Sequence, residues 1–404
     1  MKNKQHYYKY HIFCKVIDNY GDFGVCFRLA KQLVSEFNKQ VILWVDNENI
    51  LQKFLLVNNK EIQQINAEHN QNLIFKIWTK FNVINSLNSL NNNDFLNNSI
   101  IIEAFCCDLD CELLDYINNE NNENNKTILI SLDYLGLEKW ILDCHLLPSF
   151  LNYYKHIKKY FFFPSYLPNS GGLIREKCIK KYIKKNIQNL VENIQTFKIS
   201  LFFYQQPQLL LTFINSINYI AKKHKINIEI NFCDLSNDNL NTVQNYNFDS
   251  LVKCNFIHFL SQNDYDNLLQ NCHLNFVRGE DSLIRAFWSN NLFIWQIYQQ
   301  QNDIHLQKLN DFLNYYFSIT NFNTNLQTNL QNLFLFWNKN NYNNYQNSEN
   351  NTIFFADLLL NIIKNYANIF AKNQSWLNFL NNQHSLCYNL TNFIDNIIYK
   401  KIKI

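Results

Sequence analysis

The feature that most limits how this chain can fold is a unit of apolar run, glycine turn and amphipathic helix that occurs twice. His11 to Ile17 is an apolar run, Gly21 and Gly24 break the chain after it, and Val25, Leu29, Leu33 and Phe37 then recur at helical spacing. Val41 to Asp46 follows as a second apolar run that ends on an acid. Strand, turn, helix and strand in that order open a parallel α/β sheet, whose ligand crevice lies beyond the carboxyl ends of the strands. Asp18, Asn19, Tyr20, Gly21 and Asp22 are therefore expected to face that crevice. Ile100 to Phe105 and Thr127 to Leu132 continue the strand rhythm. The second occurrence is Phe276-Val277-Arg278-Gly279-Glu280-Asp281-Ser282-Leu283-Ile284-Arg285, a strand end, a glycine turn and a helix carrying Leu283, Ile284, Phe287 and Trp288 on its apolar side. The helix N–H groups should emerge just after Gly279, which makes a place to hold an anion.

Rare residues carry weight in this chain. Asn, Ile, Lys, Phe and Tyr abound, whereas Gly (6), Pro (4) and Arg (4) are scarce. Five of the six glycines fall in three turn-like clusters, and the stretch around Gly279 holds two of the four arginines. Pro148, Pro164 and Pro168 with Gly171 and Gly172 read as a connection between domains. Beyond it, Lys198 to Tyr204 begins a second α/β rhythm: a helix over 208–224, strands over 226–232 and 255–257, a helix over 264–271, then the Gly279 motif and the strand Phe293 to Ile297. We expect residues 1–165 to form an N-terminal Rossmann-like domain, 166–190 a linker, and 191–370 a C-terminal Rossmann-like domain. A terminal helix over 371–404 is expected to pack back on the first domain. Asn-rich stretches near 85–98 and 118–125 read as solvated insertions. The aromatic run Tyr160 to Phe163 reads as a strand exposed unless something covers it.

Several classes are disfavoured. A net charge of +3, from 36 basic and 33 acidic side chains, is too small for the field that nucleic-acid binders show. The 11 cysteines include no CxxC pair and read as reduced thiols of a cytoplasmic protein. The first ten residues lack an apolar leader and no run of about 18 apolar residues occurs, so no membrane association is expected. No HExxH and no G-x-S-x-G occurs, which points away from a metal site and a serine nucleophile. His305 reads more simply as a surface or capping histidine than as a ligand-orienting one.

The first loop is G-x-x-G with two carboxylates, not the G-x-G-x-x-G dinucleotide fingerprint, and two acids would repel a phosphate. Asp18 and Asp22 fit acid/base work or the holding of a cation. Each also fits a bland role. Asp22 could cap the following helix as readily as catalyse, and for Asp18 a cap or turn is the commoner explanation.

Two blocks resemble a known family. Ile12 to Ala30, and Phe276 to Arg285 followed by Trp295-Gln296-Ile297-Tyr298, are similar to the bacterial protein-arginine rhamnosyltransferases of translation elongation factor P, the EarP family. Cys144 to Ser149, Tyr160 to Pro164 and Gly171-Gly172-Leu173 agree in order and spacing, so the likeness spans about residues 11–313. The resemblance implies an α/β fold of GT-B type, two Rossmann-like domains facing each other across a cleft, with 1–165 as the acceptor-side domain and 191–370 as the nucleotide-sugar-binding domain. It implies an inverting, metal-independent enzyme without a cofactor, which moves L-rhamnose from dTDP-β-L-rhamnose to an arginine guanidinium nitrogen of elongation factor P. The family's essential acids correspond to Asp18, Asp22 and Glu280, and its donor-binding positions to Phe202, Tyr204, Phe259, Gln262, Tyr265, Arg278, Asp281 and Ser282. Asn19, Tyr20, Gly21 and Gly279 are expected beside the donor. Tyr265 stands where the family has Phe, which keeps an aromatic face. A GT-B enzyme with another acceptor, an epimerase, and a non-enzymatic protein that binds elongation factor P are the alternatives.

Overall fold

The computed structural model describes residues 8–17, 20–79, 99–120, 127–151, 153–154, 156–177, 179, 194–299, 304–338 and 348–399. The chain divides into two compact units, Met1–Lys177 with Gln383–Ile404, and Cys178–Asn382.

The first unit is built on β1 (Lys9–Cys14), β2 (Gln40–Val45), β3 (Leu73–Ile77), β4 (Ser99–Ala104), β5 (Ile128–Leu132), β6 (Pro148–Ser149) and β7 (Lys158–Phe162). The strands lie in the order β3-β2-β1-β4-β5-β7-β6, all parallel except β6, which is antiparallel to β7. A parallel sheet is covered on both faces, and its central strands are accordingly continuous apolar runs. Ile12, Leu43, Ile102 and Ile130 pack on one face, while Phe13, Trp44, Ile101 and Leu129 pack on the other. The helices are α1 (Gly21–Phe37), α2 (Glu48–Glu68), α3 (Cys111–Glu120) and the single turn α4 (Ile141–Cys144).

The second unit repeats the plan with β8 (Phe197–Leu201), β9 (Ile228–Cys233), β10 (Val252–Ile257), β11 (Leu274–Arg278) and β12 (Leu292–Gln296). The order β10-β9-β8-β11-β12 is all parallel. Its helices are α5 (Pro207–His224), α6 (Asn237–Gln244), α7 (Gln262–Asn271), α8 (Gly279–Ser289), α9 (Ile304–Thr320), α10 (Thr324–Trp337), α11 (Ser348–Lys364) and α12 (Tyr366–Asn381). A final helix, α13 (Leu386–Ile398), returns to the first unit and packs on α1. Along the parallel strands of each sheet the direction of winding reverses between β1 and β4 and between β8 and β11. Such switch points are where open α/β sheets hold ligands.

Serine and asparagine do much of the local work. Ser236, Ser261, Asn323 and Ser385 cap helices by accepting from the N–H three residues on. Asn38, Asn70, Asn169, Asn290 and Asn321 occupy left-handed positions that glycine would ordinarily take.

The structure shifts several boundaries. α1 begins at Gly21, so Gly21 and Gly24 lie in its first turns instead of in a loop before it. Residues 166–177 are not a free linker: Tyr166, Leu173, Ile174 and Glu176 are buried in the first unit. Residues 371–382, expected with the first unit, belong to the second because α12 is one helix packed on α8, α9 and β12. The aromatic strand β7 is covered. Tyr160 and Phe162 meet the ring of Phe393 on α13, with centroids 5.3 and 6.4 Å away. Full burial of a side chain such as Phe393 is worth about 1.5–3 kcal/mol. His305 is fully buried on α9, not at the surface. Among the described cysteines none is in a disulfide; six are buried, and Cys106 and Cys111 are exposed.

Candidate active site

At the first switch point two carboxylates draw in the segment after β1. Val16 N–H donates to Asp46 Oδ1 and Ile17 N–H donates to Asp22 Oδ2, each at 2.9 Å. Asp22 is the second residue of α1 and is 5% exposed. It does not stand at the helix cap, which is Tyr20, a residue whose side chain makes no capping bond. Instead Asp22 ties the loop to the helix. A carboxylate offers about four lone-pair sites, so one backbone bond leaves it able to accept again. The Cys14 thiol at the end of β1 is raised well above its ordinary pKa, first by its hydrogen bond with Cys26 and then by burial, with the Asp22 charge adding to the effect. The Lys53 ammonium lies 5.5 Å from the centroid of the Tyr20 ring. Asp18 and Asn19 lie outside the described residues.

At the second switch point the centre is Arg278. It ends β11 and caps α8 in extended conformation, and Gly279 then turns the chain with φ 63°, a left-handed value that suits glycine. Ser282 locks this corner: Arg278 N–H donates to Ser282 Oγ at 3.0 Å, and the same hydroxyl donates to Arg278 O. The Arg278 guanidinium lies over the Phe202 ring at 4.2 Å and the Tyr204 ring at 5.2 Å, while Nη1 donates to Phe203 O at 3.0 Å. Three consecutive residues after β8 therefore cradle one cation. Tyr265, on α7, meets Phe202 edge-on with centroids 5.8 Å apart. Burial pushes the Tyr265 hydroxyl well above its ordinary pKa, against the opposing effect of its hydrogen bond with Ser282.

Glu280 and Asp281 sit half-buried in the first turn of α8, at its positive end. Gln262 is buried at the start of α7, which Ser261 caps, and Phe259 is half-buried two residues past β10. Contacts thus join Phe202, Tyr204, Tyr265, Arg278 and Ser282 directly. Tyr20, Gly21 and Asp22 belong to the other unit.

The second arginine of the motif does something else. Arg285 forks onto Asp266, with Nε to Oδ1 at 2.9 Å and Nη2 to Oδ2 at 2.6 Å, and braces α8 against α7. Two residues of the cradle were not among the expected site positions. Gln296, at the end of β12, accepts from Tyr204 N–H at 2.7 Å, and Tyr298 meets the Tyr204 ring at 5.7 Å while 57% exposed. Their sequence signals were a polar residue closing an otherwise apolar strand and their place in the Trp295 to Tyr298 block that carries the family resemblance.

Two Rossmann-like units in one chain make an α/β fold of GT-B type, and the second holds an arginine at its switch point. A solved structure described as the structural basis for EarP-mediated arginine glycosylation of translation elongation factor EF-P shares this fold. It has a TM-score of 0.55 and 19% identity, covering 96% of this chain and 99% of that one. The profile described as "Elongation-Factor P (EF-P) rhamnosyltransferase EarP" matches residues 10–395. The protein-arginine rhamnosyltransferase of Shewanella oneidensis is 33% identical over 337 residues, 76% of this chain and 80% of that protein. The protein of the same name from Pseudomonas aeruginosa is 30% identical over 348 residues, 81% and 86% of the two. The chain belongs to the family of elongation-factor P rhamnosyltransferases, EarP. Among the described residues no single helix is long and apolar enough to cross a membrane.

Proposed function

We infer that this protein transfers L-rhamnose from dTDP-β-L-rhamnose to an arginine guanidinium nitrogen of translation elongation factor P, with inversion at the sugar carbon. Family membership supports the reaction and the acceptor. The observation that carries the donor half is Arg278, a cation held by two rings and a carbonyl at the amino end of α8. A nucleoside diphosphate needs such a site twice, once to bind and once as charge grows on the departing dTDP. In this reading Arg278 and the first N–H groups of α8 offset that charge without a metal, and the reaction uses no cofactor.

Phe202, Tyr204, Phe259 and Tyr265 supply the faces on which thymine and sugar pack, with Gln262, Asp281 and Ser282 holding polar atoms. The acceptor poses the harder problem. Its guanidinium has a pKa above about 12 and delocalised lone pairs, so it is a weak nucleophile. We assign Asp22 as the base: as the nitrogen attacks the anomeric carbon and the bond to the diphosphate oxygen breaks, Asp22 takes the nitrogen's proton and dTDP leaves with the electron pair. Inversion requires this base on the sugar face opposite the leaving group. Asp18 fixes the loop or contacts the acceptor, Glu280 orients the sugar or the guanidinium, and Asn19, Tyr20, Gly21 and Gly279 line the donor. A translation factor is modified where it works, so we place the reaction in the cytoplasm.

The test is the intact mass of purified elongation factor P after incubation with this protein and dTDP-β-L-rhamnose. A gain of one deoxyhexose, mapped to an arginine, is expected. No gain, or a gain on another residue type, overturns the reading.

A further inference from the structure

β8 and β11 pair only as far as Leu201 and Phe276, with Phe202 N–H donating to Phe276 O at 3.0 Å as the last rung. Beyond that rung β11 runs on to Arg278 paired with β12 alone, in the register Val277 with Trp295 and Arg278 with Gln296. The segment Phe202 to Tyr204, which makes the cradle for Arg278, thus lies past the end of its own ladder. Its Tyr204 N–H goes instead to Gln296 Oε1 at 2.7 Å, a bond that reaches across the end of β11 from the strand beyond it. The amide orientation follows from chemistry, since an N–H donor must meet the oxygen.

Gln296 is itself held. It is fully buried, and both its neighbours are fixed: Trp295 Nε1 donates to Gly279 O at 2.8 Å, and Ile297 N–H donates to Asn338 Oδ1 at 2.9 Å. Asn338 Nδ2 returns a bond to Trp295 O at 2.8 Å. A strand end held at both neighbours therefore presents one acceptor to the segment that follows β8.

We propose that Gln296 is a positioning residue for the donor site: by fixing Tyr204 it sets the ring of Tyr204 and the carbonyl of Phe203 against Arg278, and so holds the guanidinium ready for a diphosphate. This rests on the reading of Arg278 as the diphosphate clamp. Gln296 itself need not touch the ligand.

The experiment is calorimetric titration of dTDP into the whole protein, its Gln296→Met variant, Arg278→Ala and the double variant. Methionine matches the length of glutamine and removes the acceptor. Gln296→Met is expected to bind dTDP about ten-fold more weakly, the effect of losing one buried hydrogen bond, and to raise KM for the dTDP-sugar more than it lowers kcat. In the Arg278→Ala background the same change should cost less than two-fold, about the limit of additivity error, because the group it positions is gone. A purely structural glutamine would weaken both backgrounds equally, and that result, or unchanged affinity of the single variant, overturns the proposal. Should Gln296→Met not fold, Gln296→Asn keeps the amide but falls one methylene short of Tyr204 N–H. It should weaken dTDP binding about ten-fold in the parent background and less than two-fold beside Arg278→Ala; equal losses in both backgrounds overturn the proposal. If the parent protein binds no dTDP, the clamp reading of Arg278 fails, which is distinct from a parent that binds and a variant that binds as well.

Discussion

Replacing Arg278 with lysine isolates what the cradle contributes, because the charge stays and the flat fork goes. Two stacking contacts, at 4.2 and 5.2 Å, and one hydrogen bond to Phe203 O are lost or weakened. Half-buried cation–π contacts are worth about 0.5–1 kcal/mol each, and a hydrogen bond from a charged donor about 1.5 kcal/mol or more. An ammonium recovers part of the last term with a carbonyl or with the phosphate itself. The remainder is roughly 2–3 kcal/mol, or about 30- to 150-fold in kcat/KM at 1.36 kcal/mol per decade. The assay is the initial rate of mass gain on elongation factor P across a range of dTDP-β-L-rhamnose concentrations, with melting temperature checked in parallel. Arg278→Lys should fold like the parent and lose kcat/KM within that range. A folded variant within about three-fold of the parent would refute the view that orientation of this cation, beyond its mere charge, drives the donor site.

Asp22→Asn retains an acceptor for Ile17 N–H, so dTDP affinity should stay within about two-fold while kcat falls by about 10²- to 10⁴-fold, the usual range for a general base. Wild-type turnover in that variant removes Asp22 from the role. His145 and His273 each accept a backbone N–H through Nδ1, from Phe163 at 3.1 Å and Lys198 at 2.8 Å, and burial lowers both to about 4 from 6.5. The unfolded chain therefore binds protons first, so stability is full above pH 6.5 and declines as pH falls towards 4; urea midpoints should drop through that window and drop less in His273→Gln. Gly172 has φ +79° and a Cβ there would lie 2.5 Å from His384 O, so Gly172→Ala should lower unfolding free energy by at least about 2 kcal/mol, read from the urea midpoint.

Much of the fold was legible because a parallel sheet writes itself as apolar runs too short for helices, separated by helical spacing. Ile100 to Phe105 and Phe293 to Ile297 are strands in the structure within a residue or so. The Gly279 turn was legible for the same reason that glycine is scarce: a residue retained against composition sat at positive φ. Gly21 and Gly24 misled by that logic, since both have ordinary helical conformation in α1. Asparagine misled in the opposite direction. Its abundance reads as mere composition, yet Asn38 and Asn290 end α1 and α8 in left-handed conformation. Nor could spacing separate Arg278 from Arg285: one is held by rings after β8 and the other by Asp266, and both partners are distant in sequence. Gln296 was noticed as part of the Trp295 to Tyr298 block but given no role, because its bond is to a backbone N–H 92 residues away.

The return of α13 sets an order on how the molecule is made. Synthesis delivers the strands of the first unit before those of the second, but Phe393, which packs on Tyr160 and Phe162, is made after both. The unit encoded second holds all its own strands and helices within one continuous stretch, 178–382. On the ribosome the later-made half is thus able to close while the earlier-made half still lacks the ring that packs on Tyr160 and Phe162 of the aromatic strand β7. The first unit to be translated is the last to be finished, and a chain cut short after Asn382 leaves that strand open to aggregation however well the second unit has folded.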